Sequence, residues 1–291
     1  MTESEEPQFV SARRRAGMRR EIPAWKTAGL GESLLSDRRA EQEMRVAPWM
    51  CDASGDVATG MLAVLCDSVV ARAVMSTVPI EKGMATSHLH LELLRPIPRA
   101  ALSLRCIGEQ RAIDERFGLG EGAITDASGT LLAKSTIGAV LLDARPHHER
   151  RAEAASPPST AREMQAKVEV SPILSELGTE VLRAEHSQVR LLMSAAPRFA
   201  NASGGIHGGF GVLMGERTLD FALRTALGDQ RSMRPVELRA AFLRPILADG
   251  TSIECRASVM HQGRRLAATR GEVRDHRGRP AVLVDATYIN A

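Results

Sequence analysis

The sequence predicts an α+β protein built as two like domains in tandem, and three observations point there. The 291-residue chain repeats itself at a constant offset of 149. Each copy holds one mostly apolar stretch long enough for about five helical turns. Each such stretch is followed by three or four runs with the two-residue alternation of strands, the order of a central helix and an antiparallel meander.

The repeat fixes the organisation. Asp52-Ala53-Ser54-Gly55-Asp56-Val57-Ala58-Thr59-Gly60 falls on Asn201-Ala202-Ser203-Gly204-Gly205-Ile206-His207-Gly208-Gly209. Leu94-Arg95-Pro96-Ile97 falls on Leu243-Arg244-Pro245-Ile246, and Cys106, Arg116, Asp126 and Gly129 on Cys255, Arg265, Asp275 and Gly278. Upstream, Pro23, Gly29 and Pro48 fall on Pro172, Gly178 and Pro197. The expected division is a tail over 1–22, a first domain over 23–142, a linker over 143–171 and a second domain over 172–291. Solenoid repeats, at roughly 20–50 residues, are much shorter than this unit. The linker, rich in Ala, Pro and charge, carries His147 and His148 side by side, read as a solvated pair rather than metal ligands.

Within each copy, the segment opening at Pro23 or Pro172 reads as a short helix or turn. Ala40 to Trp49 and His186 to Met193 then alternate as strands. A glycine-containing loop leads into the apolar helices starting at Gly60 and Gly209. Strands are expected over Thr86–Leu94, Ala101–Gln110, Gly118–Thr125 and Leu131–Leu142, with counterparts 149 residues on. Asp126-Ala127-Ser128-Gly129 and Asp275-His276-Arg277-Gly278 have hairpin-turn chemistry.

Composition narrows the function. Hydrophobic residues at 44% supply a core for each copy. A net charge of +3 and 3% aromatic residues argue against nucleic acid as a partner, since few rings are left for bases to stack on. Cys51, Cys66, Cys106 and Cys255 form no CxxC pair and read as reduced thiols of a cytoplasmic protein. No stretch reaches the ~18 apolar residues of a membrane span, and the Arg13 to Arg20 cluster reads as a solvated tail.

The string Asn201-x5-His207-Gly208-Gly209, with Glu216 inside the helix and Phe242-Leu243-Arg244-Pro245 later, resembles the hotdog-fold acyl-CoA thioesterases of the phenylacetyl-CoA and 4-hydroxybenzoyl-CoA kind. The resemblance covers both copies. It implies two hotdog domains, each a central helix wrapped by an antiparallel sheet, packed about a pseudo-twofold axis. It further implies an acyl-CoA substrate hydrolysed without cofactor or metal, with further stacking into a homo-oligomer possible. In that family the amide of the first glycine after the histidine polarises the thioester carbonyl, and the helix acid acts as base or nucleophile. By position these roles fall on Gly208 and Glu216, with Asn201 and His207 as polar supports. Gly209, Arg95, Arg244 and Arg264 are candidates for contacts to the substrate, the arginines toward the CoA phosphates.

The first copy departs from the pattern. Asp52, Ala58 and Thr59 stand where the second has Asn201, His207 and Gly208, yet an acid survives as Asp67, the counterpart of Glu216. Gly208 and Glu216 lie eight residues apart, ~12 Å along one helix, so one helix cannot set both on one carbonyl. Two antiparallel helices can, because each acid then faces the start of the other. The complete site is therefore expected to join Asp67 to Asn201, His207 and Gly208. The mirror site would join Glu216 to Asp52, Ala58 and Thr59, with Asp52 and Glu216 close enough to share a proton. A non-catalytic acyl-CoA binder is the first alternative and an enoyl-CoA hydratase on the same fold the second.

Overall fold

The computed structural model describes residues 22–52, 54–79, 81–97, 102–143, 171–185, 187–228 and 232–290. The Arg13 to Arg20 cluster and the linker histidines, His147 and His148, lie outside the described residues.

The first half runs α1 (Pro23–Thr27), β1 (Leu34–Ser36), β2 (Arg39–Arg45), α2 (Thr59–Met75), β3 (Lys82–Leu93), β4 (Ser103–Ile113), β5 (Phe117–Asp126) and β6 (Leu131–Asp143). The second repeats it as α3 (Pro172–Glu176), β7 (Glu180–Glu185), β8 (Gln188–Ser194), α4 (Gly208–Leu227), β9 (Met233–Phe242), β10 (Ser252–Gln262), β11 (Leu266–Arg274) and β12 (Pro280–Asn290). β2 stops at Arg45 rather than continuing to Trp49, because Pro48 cannot donate to a ladder and instead opens a 3₁₀ turn over Pro48–Met50. The short edge strands β1 and β7 are additions to the expected set.

The twelve strands of the described residues form one antiparallel sheet in the order β1-β2-β4-β5-β6-β3-β9-β12-β11-β10-β8-β7. Replacing each strand by its counterpart in the other half reverses this order, so the duplication is built into the sheet. The halves join along β3 and β9, where His90 pairs with its own counterpart Arg239 and the register steps outward symmetrically to His88–Ala241 and Glu92–Glu237. The backbone keeps the repeat as well: Gly29 and Gly178 share a left-handed φ of 62°.

α2 and α4 are apolar nearly all round, and the sheet wraps them, which is the hotdog arrangement of two domains sharing one layer. Fourteen of the seventeen residues of α2 are buried. The helices cross antiparallel at a glycine contact. A Cβ on Gly209 would stand 2.3 Å from the Val64 Cα, and one on Gly60 would stand 2.6 Å from the Leu213 Cα. Gly60 and Gly209 are counterparts, as are Val64 and Leu213, so the crossing lies on the pseudo-twofold axis. The same crossing brings the middle of each helix to the start of the other.

Candidate active site

The loop ahead of α4 is held by backbone pairing. Ile206 N–H donates to the Ile246 carbonyl (2.7 Å) and His207 N–H to the Phe199 carbonyl (2.9 Å). The Leu243-Arg244-Pro245-Ile246 string is thus the strut on which the loop rests, and Ile97 plays the same part for Val57 (2.8 Å). Asn201 Oδ1 accepts from Ser203 N–H (2.8 Å) and Gly205 N–H (3.2 Å), closing an Asx turn. Its side chain borders the crevice described below, but it bonds its own loop and not Asp67.

His207 is the N-cap of α4, and its Nδ1 accepts from Gly209 N–H at 3.2 Å. The Ser68 hydroxyl donates to the Val64 carbonyl (2.9 Å), so it receives the His207 Nε2–H at 3.2 Å. This network assigns the neutral ring with its proton on Nε2. Burial lowers the His207 pKa below its usual value, against the opposing pull of Asp67.

Asp67, 6% exposed, comes from α2 and meets this turn from the other half of the chain. Its Oδ2 accepts from Gly209 N–H (2.9 Å) and lies 3.4 Å from His207 Nδ1, while its Oδ1 accepts from the Thr86 hydroxyl on β3 (2.9 Å). Gly208 packs directly over the carboxylate, where an added Cβ would stand 2.6 Å from Asp67 Oδ2. No described group accepts from the Gly208 N–H, one of the orphan donors of a helix start. Asp67, His207 and Gly208 all line one crevice of about 840 Å³, whose walls include Trp25, Met75, Met84 and Phe242. A drug-sized ligand fits in such a volume. A second, 480 Å³ groove lies on the outer face of the first half, where Arg111 pairs with Glu109 (2.9 Å) and Glu121 (2.8 Å).

The mirror site corrects an expectation. Glu216 does receive Gly60 N–H (3.3 Å), as Asp67 receives Gly209. It is not half of a proton-sharing pair with Asp52, because Arg217 grips both its oxygens, Nε reaching Oε2 at 2.6 Å and Nη2 bonding Oε1. Asp220 bridges Arg217 (3.5 Å) to Arg224 (2.8 Å), and Arg224 reaches Asp52 (3.6 Å). Around Asp67 the counterparts of Arg217, Asp220, Arg224 and Asp52 are Ser68, Ala71, Met75 and Asn201. These four small or uncharged residues line the crevice, and four charged ones stand in their places on the other side. Burial raises the Glu216 pKa while Arg217 opposes it; Arg217, also penalised by burial, is held above its usual value by Glu216 and Asp220. The pair is a buried ion pair, with Glu216 1% exposed.

Other expected contacts also move. Gly209 is consumed by the helix crossing and its two hydrogen bonds, so it offers nothing to a substrate. Arg95 and Arg264 are exposed and do not line the crevice; Arg244 is exposed at its rim and donates to the Pro280 carbonyl. Met61, Phe210 and Phe221 are packed into the core. Thr86, Ser68 and Arg217 went unforeseen. Ser68 against Arg217 was visible as a mismatch in the repeat, whereas Thr86 arrives by tertiary packing and has no sequence signal. Among the described residues no cluster of His, Cys, Asp and Glu could hold a metal ion, and no helix is long and apolar enough to cross a membrane.

Residues 203–282 match the sequence model of the thioesterase superfamily. Among solved structures, the chain is similar to the tesB protein of Mycobacterium avium subspecies paratuberculosis, at 12% identity and TM-score 0.65 over 89% of this chain and 96% of that one. It is similar to a hot dog fold protein of unknown function from Alicyclobacillus acidocaldarius, at 12% identity and TM-score 0.62 over 92% and 98%. It is also similar to the acyl-CoA thioesterase II TesB2 of Mycobacterium marinum, at 14% identity and TM-score 0.60 over 89% and 94%. No curated protein matches the sequence. At these identities the solved structures show the fold, a double hotdog spanning most of the chain.

Proposed function

We propose that this double-hotdog chain, whose second half matches the thioesterase superfamily, hydrolyses acyl-CoA thioesters at one working site between its halves. The observation that carries the reading is the Asp67 carboxylate packed against Gly208, whose N–H is unclaimed, both lining one crevice.

A thioester carbonyl whose oxygen accepts from Gly208 N–H sits at a helix start, where the dipole favours the oxyanion that forms as the carbonyl is attacked. Thr86 and Gly209 orient the two carboxylate oxygens of Asp67 toward that carbonyl. A water attacks carbon as Asp67 takes its proton, the C–S bond breaks, and CoA leaves as a thiolate that takes up the proton. The alternative start, attack by Asp67 itself with loss of CoA thiolate, gives a mixed anhydride that water opens at the Asp67 carboxyl carbon. Single turnover in ¹⁸O-water separates them, since only the second route leaves label in Asp67. His207 holds the turn and keeps Gly209 aimed at the carboxylate. Arg244 at the rim is the candidate partner for CoA phosphates.

Thiol release from a panel of acyl-CoA esters tests the reading. Turnover that depends on Asp67 supports it. Tight binding with no turnover of any ester would favour a binding protein instead.

A further inference from the structure

Among the described residues, Arg72 is a half-buried cation that this reading of the site leaves without a use. It projects from α2, half-buried, into the crevice that Asp67 lines, with its Cζ 4.8 Å from the centre of the Trp25 ring. Stacking covers one face of the guanidinium and leaves the N–H groups at its edge without acceptors. Among the described residues no carboxylate or carbonyl pairs with it. Buried Arg217, in contrast, is bound by Glu216 and Asp220. Desolvation of the unpaired Arg72 lowers its pKa, and an arginine still keeps its proton under such a burden. Desolvated donors facing a crevice cost free energy until an acceptor arrives.

From these observations we propose that Arg72 selects acyl groups that end in a carboxylate, so that the preferred substrates are the CoA thioesters of dicarboxylic acids. The inference rests on the thioesterase reading of the same crevice and names its substrate class. Asp67 and Arg72 are five residues apart on α2, ~7.5 Å along the axis, which with the reach of the side chain suits a chain of roughly five to eight carbons. The surroundings favour the acyl end over the CoA phosphates: Trp25, Leu35, Met75 and Met84 line the same crevice, apolar company suited to methylenes. The counterparts of Arg72 and Trp25 in the other half are Phe221 and Leu174, so the cation and its ring belong to the working side alone.

The test compares kcat/KM for chain-matched pairs, adipyl- against hexanoyl-CoA and suberyl- against octanoyl-CoA, in the wild type, Arg72→Met and Arg72→Lys. Melting curves check that each variant is folded. The expected wild-type ratio favours the carboxylate-ended ester by tenfold or more. Arg72→Met collapses the ratio by roughly ten- to a hundredfold, the loss of charge-assisted hydrogen bonds, and Arg72→Lys collapses it less. A wild-type ratio near one, or a ratio that Arg72→Met does not move, overturns the proposal. Equal losses on both esters also overturn it, because Arg72 would then be holding a phosphate common to every CoA ester. Should neither ester release thiol, the hydrolysis reading fails separately, and the same ratio is read from calorimetric affinities for the non-hydrolysable thioether analogues.

Discussion

Asparagine at position 67 keeps the volume of the side chain and removes its charge. The amide oxygen still accepts from Gly209 N–H, and the NH₂ group meets a Thr86 hydroxyl able to rotate and accept, so the two 2.9 Å contacts survive. The fold should therefore melt within a few degrees of the wild type, because about 1 kcal/mol shifts a domain of this size by roughly 2–4 °C. What disappears is the base or nucleophile. Losing such a group costs about 10²–10⁴ in kcat, or about 3–5 kcal/mol of transition-state stabilisation. Thiol release measured with a chromogenic disulfide reads this directly, since the protein's own four cysteines are buried and burial pushes Cys255 up to about 12. Glu216→Gln should behave in the opposite way. It weakens the partner of a 4% exposed guanidinium, a change that costs about 3–5 kcal/mol of stability when a buried pair is broken, yet it retains most turnover per folded molecule. A loss under threefold for Asp67→Asn, or a larger kinetic loss for Glu216→Gln, would refute the pairing of halves argued above.

Gly208→Ala places a methyl 2.6 Å from Asp67 Oδ2, so kcat should fall a hundredfold or more in a protein that still melts cooperatively; wild-type kcat would contradict the packing. Gly209→Ala would put its Cβ 2.3 Å from the Val64 Cα, backbone that cannot move aside, and should yield little folded protein by circular dichroism. Burial lowers the His207 pKa below the free-histidine value of about 6.5, so the unfolded chain binds a proton there that the folded one refuses. Stability should consequently fall as pH drops from about 6.5 toward the depressed value, and His207→Gln should flatten Tm against pH in that window. Equal slopes would contradict the buried neutral ring.

Much of this architecture was legible because duplication shows twice. The apolar runs of α2 and α4 and the alternating strands read as such in both copies, and the eight-residue gap between Gly208 and Glu216 forced the acid and the loop of one site to come from different halves. The edge strands β1 and β7 escaped because three and six residues of mixed polarity carry no period. Loop residues are harder to read where one residue has two uses. Asn201, a candidate polar support of the site, also closes its own turn with its side-chain oxygen, and Gly209, a candidate for substrate contact, also permits the helix crossing. The difference between the two sides lay in the sequence as Ser68 against Arg217, but only the structure shows that Arg217 folds back onto its neighbour Glu216 rather than out to solvent.

The most direct test is a crystal structure of Asp67→Asn holding an intact acyl-CoA ester. One ester per chain should be present, its carbonyl oxygen within hydrogen-bond reach of Gly208 N–H and its carbonyl carbon facing residue 67, with the Glu216–Arg217 pair undisturbed. An ester seated instead against Glu216, or on the outer face of the sheet, would contradict the account.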